Sequence, residues 1–130
     1  MSETNRIEYK RELTSELDIE KEVVAFLNYK EGRYIYIGID KNGSTVGVSD
    51  VDDCMLRLKD RIKHNISPSA MGLFDIAEEQ KDGHNIVKVT VASGIEKPYF
   101  KTKYGMTPRG ADMRVGTSAE PMPQEQIDRL

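Results

Sequence analysis

One segment of the sequence combines residues that bind phosphate with residues that stack on bases. Between positions 97 and 114 a set of cations is opposed only by Asp112: Lys97, Lys101, Lys103, Arg109 and Arg114. The same segment contains Tyr99, Phe100 and Tyr104. Because lysine and arginine bind phosphates and aromatic rings stack on nucleobases, this composition suits a nucleic-acid-binding loop. A solvated loop with ordinary surface lysines has the same composition, and the segment by itself favours that simpler interpretation.

A second group of cations precedes this segment, in a stretch with helical periodicity. Four basic residues there are opposed only by Asp60: Arg57, Lys59, Arg61 and Lys63. The whole chain nevertheless has a formal net charge of -3. Such a chain does not bind nucleic acid by bulk charge, so any contact with nucleic acid must depend on local clusters of cations.

The other reactive residues form no catalytic motif. Cys54 is the single cysteine, which argues against a disulfide framework and a cysteine-rich metal site. His64 and His84 are too few for a structural zinc site. The sequence also lacks the GxxxxGK[ST] pattern of a phosphate-binding loop, which argues against P-loop hydrolysis of ATP.

The length and composition predict one globular domain. The chain has 130 residues, of which 38% are hydrophobic and 32% charged. No run approaches the ~20 apolar residues of a membrane span, and residues 1–10 are too polar for a secretory signal. We therefore expect a cytoplasmic protein.

The segment from Asp18 to Val48 predicts a helix followed by a hairpin. Asp18 suits a helix N-cap, and Gly32 is predicted to be a left-handed C-cap. The predicted apolar face of the helix contains Ile19, Val23, Phe26, Leu27 and Lys30. Residues 35, 37 and 39 are isoleucines that alternate with other types, as in a half-buried strand. Asn42-Gly43 is a strong hairpin-turn signal.

The rest of the chain predicts a second helix and further strands. Asp50 caps a helix whose buried stripe is Val51, Met55, Leu58, Ile62 and Ile66, and which ends before Pro68. Strands are predicted over 73–79 and 84–92 around an Asp82-Gly83 turn, near 99–103 and over 112–115. We predict an α+β fold, a single domain with a mixed β-sheet of about six strands and two principal helices packed on it. The domain is expected to span residues 1–120. Residues 121–130 would begin a C-terminal helix that belongs to a longer protein, with Ile127 and Leu130 having little to pack on.

Several motifs together resemble one known family. The sequence resembles a Schlafen-type AlbA-like domain from about Glu3 to Ser118. The motifs that carry this resemblance are Glu8-Tyr9-Lys10, KEVVAFLN at 21–28, IGID at 37–40, Asn65-Ile66-Ser67-Pro68, Lys97-Pro98-Tyr99 and Arg114-Val115-Gly116-Thr117-Ser118. One departure is Glu31-Gly32, where the family usually has Gly-Gly. Gly32 keeps the position for which the resemblance implies a positive φ angle.

The resemblance implies a nucleic-acid-binding module. Within a larger, regulatory protein such as a transcriptional regulator, the domain would bind DNA or RNA. The residues expected to contact phosphates are Lys59, Lys63, Lys97, Lys101, Lys103, Arg109 and Arg114, while Tyr99 and Tyr104 would stack on bases. The sequence does not distinguish DNA from RNA.

The resemblance also implies an enzymatic alternative. Some Schlafen proteins are metal-dependent ribonucleases with three carboxylates, and Glu3, Glu8 and Asp40 occupy the corresponding positions. Such a set could hold Mg²⁺ or Mn²⁺ on a scissile phosphate. Local ion pairs of Glu8 and a hairpin role for Asp40 explain the same residues without a metal. A third alternative is a protein-interaction or oligomerisation module, including a homodimer.

Overall fold

The structure is a computed structural model that describes Thr4 and residues 6–130, so Glu3 lies outside the described residues. The described chain forms eight strands and three helices. In chain order they are β1 Ile7–Lys10, α1 Ile19–Leu27, β2 Arg33–Ile37, α2 Val51–Asn65, β3 Ile66–Ser67, β4 Phe74–Lys81, β5 His84–Val91, β6 Phe100–Lys101, β7 Asp112–Val115, β8 Ser118–Pro121 and α3 Gln124–Arg129. The predicted α+β class with a mixed sheet and two principal helices is confirmed.

The main sheet has four strands in the order β1-β2-β5-β4. β1 and β2 are parallel and are joined through α1, whereas β2–β5 and β5–β4 are antiparallel. The predicted turn at Asp82-Gly83 joins β4 to β5, and Asp82 itself has a positive φ of 51°. Two additional two-stranded sheets, β3-β6 and β7-β8, accommodate the other strands, so the main sheet is smaller than six strands.

Both principal helices pack on one face of the main sheet. Ile35 faces Val89 across the β2–β5 ladder, and these side chains are completely buried. They form one apolar cluster with Val23 and Phe26 of α1 and Leu58 of α2. The predicted alternation in β5 is confirmed, because Val87, Val89 and Val91 all belong to this cluster.

The first helix ends earlier than the sequence predicts. Its C-cap is Asn28, and Gly32 is not among the glycines with positive φ, so the predicted left-handed cap at Gly32 is wrong. Asn28 instead uses its side chain for long-range bonds. Its Nδ2 donates to the carbonyl oxygens of Tyr99 (3.0 Å) and Asp112 (2.9 Å), and its Oδ1 accepts from the Tyr99 amide (2.7 Å). Asn28 thus joins the end of α1 to the segments around β6 and β7.

The last helix packs against the rest of the domain. Ile127 is only 3% exposed and forms a small cluster with Ala111 and Met122. The expectation that Ile127 and Leu130 have little to pack on is therefore wrong for Ile127, whereas Leu130 is 55% exposed. None of the helices in the described residues is both long and apolar enough to cross a bilayer.

Candidate nucleic-acid interface

Part of the basic and aromatic segment at 97–114 forms a loop after β6, and the two ends of this loop are hydrogen-bonded to each other. The Lys101 amide donates to the Gly110 carbonyl at 2.9 Å, which brings the two ends of residues 101–110 together. A turn follows Lys101, whose carbonyl accepts from the amides of Tyr104 and Gly105. This closure places Lys103 and Arg109, six positions apart in sequence, on the same aromatic ring. We call residues 101–110 the basic loop.

Tyr104 is the centre of this loop. The Arg109 guanidinium carbon lies 4.1 Å from the centroid of the Tyr104 ring, and the Lys103 Nζ lies 4.9 Å from it. The Lys101 Nζ is more distant, at 5.4 Å. Cations over an aromatic face are attracted by its quadrupole. The Lys103 ammonium near the Tyr104 hydroxyl, and then the charges of Arg109 and Lys101, lower the pKa of Tyr104, and Arg109 donates a hydrogen bond to that hydroxyl at 3.3 Å.

The basic loop forms one wall of a groove of about 790 Å³. The exposed side of α2 and residues 15–18 form the other walls, and Arg57, Arg61, His64 and Lys103 line it together with acidic residues. Arg61 is committed to the fold. Its guanidinium forms a bidentate ion pair with the Glu20 carboxylate (2.9 and 2.6 Å) and donates to the Thr14 carbonyl. The hydrogen bonds with Glu20 raise the pKa of Arg61.

Three of the predicted contact residues are unavailable to a ligand. Tyr99 is 0% exposed and packs against Gly94, where even a Cβ atom would lie 2.0 Å from its ring. Tyr99 therefore cannot stack on a base. Arg114 is also in the core, with a side chain that is 0% exposed. The Lys101 side chain is 9% exposed and pairs with Asp18 at 3.0 Å and Asp112 at 3.6 Å. Burial raises the pKa of Asp112 to about 6, although Lys101 opposes that shift.

The other predicted cations are accessible but dispersed. Lys63 is exposed on α2, next to His64 of the groove. Lys59 is exposed on another side of α2, where it lines a separate groove against β4. Lys97 is half-buried and donates to the Ser93 hydroxyl at 3.0 Å. The structure thus gathers Lys103, Tyr104 and Arg109, places Lys59 at a separate groove and engages Lys97 with Ser93.

Glu8 belongs to a buried charge cluster. Its carboxylate lies 2.7 Å from an Arg114 nitrogen and 3.2 Å from the Lys10 Nζ. Glu22 of α1 approaches the same two cations, at 3.0 Å from Lys10 and 3.6 Å from Arg114. Burial and the neighbouring Glu8 raise the pKa of Glu22. Burial alone would lower the pKa of Lys10, but the charges of Glu22 and Glu8 raise it. Two carboxylates and two cations balance one another in this cluster.

Asp40 lies away from that cluster. Glu8 is opposite Ile35 in the β1–β2 ladder, and Asp40 follows Ile35 by five residues, so at ~3.3 Å per residue the two positions are roughly 16 Å apart along the strand direction. Asp40 pairs instead with Arg11 at 2.9 Å. These two carboxylates, placed in this way, do not fit a single Mg²⁺ or Mn²⁺ ion, whose ligands lie at about 2.0–2.6 Å.

The predicted three-carboxylate site as a whole remains a prediction, because Glu3 is outside the described residues. Within Thr4 and residues 6–130, no group of three or more histidine, cysteine, aspartate or glutamate side chains is arranged to hold a metal ion. Cys54 is buried, and burial raises the pKa of its thiol to about 11, so it is a poor nucleophile.

The sequence identifies Arg57, Asp60 and Arg61 as charges of the second helix but does not predict that they line a groove. Arg57, Asp60, Arg61 and His64 follow the helical spacing of three and four positions, so they lie on one side of α2 and line the groove together. This spacing is visible in the sequence and predicts that the four side chains lie on one side of the helix. The role of Arg61 in binding Glu20, 41 positions away, had no local signal.

The fold and this loop define a small α+β domain with a mixed sheet, two helices on one face and a basic, aromatic loop. A family model described as Schlafen, AlbA_2 matches residues 3–123. The chain belongs to this family. No curated protein matches it.

Two solved structures are similar to the chain. One is the solution NMR structure of the N-terminal domain of a Nitrosomonas europaea protein described as related to the ATP-dependent DNA helicase RecG. It is 27% identical, has a TM-score of 0.68 and covers 94% of this chain and 86% of its own. The other is the crystal structure of the DIP2311 protein from Corynebacterium diphtheriae, at 20% identity and a TM-score of 0.62 over 91% of this chain and 22% of that one. This second likeness concerns the fold alone.

Proposed function

We propose that the domain binds nucleic acid through its basic loop, as a module of a larger regulatory protein in the cytoplasm. The observation that carries this proposal is the convergence of Lys103 and Arg109 on the Tyr104 ring. Both cations are exposed and neither has a salt bridge to a described residue, so both charges are available to phosphates, although Arg109 also donates to the Tyr104 hydroxyl at 3.3 Å. The Arg109–Tyr104 pair offers a planar surface to a base.

The charges around the groove restrict where a nucleic acid would lie. Glu16, Asp18, Glu20 and Asp60 line the groove together with its cations. A phosphate inside the groove would be repelled by these carboxylates, while one at the rim would meet Lys103, Arg109 and the exposed Lys63. The nucleic acid would therefore run along the rim formed by the basic loop and α2. The similarity to a domain of a RecG-related protein supports the same class of ligand.

The test measures binding of labelled single- and double-stranded DNA and RNA across a salt series. The variant Lys103→Ala/Arg109→Ala should bind more weakly, and the slope of log K against log salt should fall by about 1.8 for duplex DNA or about 1.4 for a single strand. Tyr104→Leu should weaken binding with little change in the slope, because it removes stacking and not charge.

The matched control is Lys30→Ala/Lys41→Ala, which removes two exposed cations elsewhere on the surface. It should keep the parent's slope. An equal loss of affinity in both double variants would show that binding depends only on net charge. An unchanged slope in Lys103→Ala/Arg109→Ala would show that the basic loop is not part of the interface.

A further inference from the structure

A stripe on α2, exposed except for the half-buried Met55, differs from the rest of the helix surface. Its members follow the spacing of three and four positions and form one side of the helix: Asp52, Met55, Leu56 and Lys59. Leu56 is 57% exposed, which is unusual for a large apolar side chain at the middle of a helix. Asp52 and Lys59 are both exposed, and neither forms an ion pair with any residue that the structure describes.

The stripe borders an apolar groove between α2 and β4. The groove has a volume of about 500 Å³ and is lined by Met55, Leu56, Met71, Phe74 and Ile76, with charged residues at its rim. Met71 is 52% exposed. The same surface thus contains both a protruding apolar side chain, Leu56, and an apolar depression that can receive one. This combination is a property of surfaces that pair with themselves.

The charges on the stripe are also arranged so that the surface can pair with a second copy of itself. Asp52 and Lys59 are equally far from the midpoint between Met55 and Leu56, one towards each end of the helix. If two copies of α2 pack antiparallel about a two-fold axis at this midpoint, Asp52 of each copy lies opposite Lys59 of the other. Met55 and Leu56 then meet at the centre. A parallel arrangement would instead place like charges side by side.

We propose that this surface is a homodimer interface, in which a second copy of the chain packs antiparallel along α2. The occupant is another copy and not nucleic acid, because the centre of the surface is apolar and its rim carries both signs of charge. Pairing through the edge strand β4 is disfavoured, since Asp75, Glu78 and Glu79 would bring like charges together. The proposal is independent of the basic loop, which lies beyond the other groove.

A charge-exchange experiment tests the proposal. Sedimentation equilibrium from about 1 μM to about 1 mM covers the range of weak homodimers. The parent should self-associate, and Asp52→Lys or Lys59→Asp alone should raise the dissociation constant at least about tenfold, because each creates two like-charge contacts. The double variant Asp52→Lys/Lys59→Asp should return to within about threefold of the parent, since the opposite charges face each other again.

Leu56→Asp provides a second disruption, at the apolar centre, and should also give monomers. All of these positions are exposed, so circular dichroism should show folded protein in every variant. A parent that is monomeric throughout the concentration range would overturn the proposal. A double variant as weakly associated as the single variants would also overturn it, because the antiparallel register requires the rescue.

Discussion

The guanidinium of Arg114 lies 2.7 Å from the carboxylate of Glu8, although the two residues are 106 positions apart in sequence. Arg114 also donates to the Thr4 carbonyl at 2.8 Å and lies 4.8 Å from the centroid of the Phe26 ring. One side chain therefore fastens the edge strand β1 and helix α1 to β7. The partners of this arginine are protein groups, which explains why it contributes to the fold and not to a ligand site.

Removing this arginine should destabilise the domain strongly. Arg114→Met would leave Glu8 and Glu22 buried with only Lys10 to balance them, and breaking a buried pair in this way costs about 3–5 kcal/mol. The measurement is the free energy of unfolding in urea. Arg129→Met is the control, because the Arg129–Glu125 pair is exposed and should contribute less than about 1 kcal/mol. A loss of similar size in both variants would contradict the structural role of Arg114.

Asp112 should make the stability depend on pH in the weakly acidic range. Its pKa in the folded protein is about 6, against an ordinary value of 3.8. As the pH falls, the folded state therefore takes up a proton at a higher pH than the unfolded state does. The contribution of this group to stability is therefore complete below pH 3.8 and is lost as the pH rises through about 6. At about 1.4 kcal/mol per pKa unit, the variant Asp112→Asn should gain up to about 2–3 kcal/mol relative to the parent between pH 4 and pH 7.

Urea unfolding of the parent and of Asp112→Asn across this pH range checks the prediction. Asp60→Asn removes an exposed carboxylate and should follow the parent at every pH. If the difference between Asp112→Asn and the parent were constant with pH, Asp112 would not titrate in this window.

Mn²⁺ should not stabilise the domain. Glu8 is already neutralised by Arg114 and Lys10, and Asp40 by Arg11, so a metal ion would have to displace these cations. A site with a dissociation constant of about 10 μM would add about 2.7 kcal/mol at 1 mM Mn²⁺. We expect no such shift in thermal unfolding and no cleavage of RNA. A Mn²⁺ effect that disappears in Glu8→Gln/Asp40→Asn would restore the three-carboxylate ribonuclease hypothesis.

The parts of the fold that the sequence predicted well are those with local causes. The Asp82-Gly83 turn, the alternation of valines in β5 and the caps at Asp18 and Asp50 each depend on residues within a few positions, and all are present. The end of α1 was mispredicted because it depends on Asn28 bonds to Tyr99 and Asp112, which are 71 and 84 positions away.

The candidate site was predicted in part for the same reason. The alternation of basic and aromatic residues placed Lys103, Tyr104 and Arg109 in one predicted binding segment, and the structure brings these three side chains into contact. It could not separate them from Lys101 and Arg114, because the carboxylates that bind these two come from distant segments. Composition reveals which cations are present, and only tertiary structure reveals which are already neutralised.

The distance in sequence between Glu8 and Arg114 also has a consequence for synthesis of the chain. A growing chain that has reached β5 already contains the main sheet and both principal helices, but Glu8 and Glu22 have no arginine to bury against. Two carboxylates that are balanced only by Lys10 resist burial, so β1 should remain undocked until β7 leaves the ribosome. The domain would then complete its folding in one late step, after β7 has been synthesised.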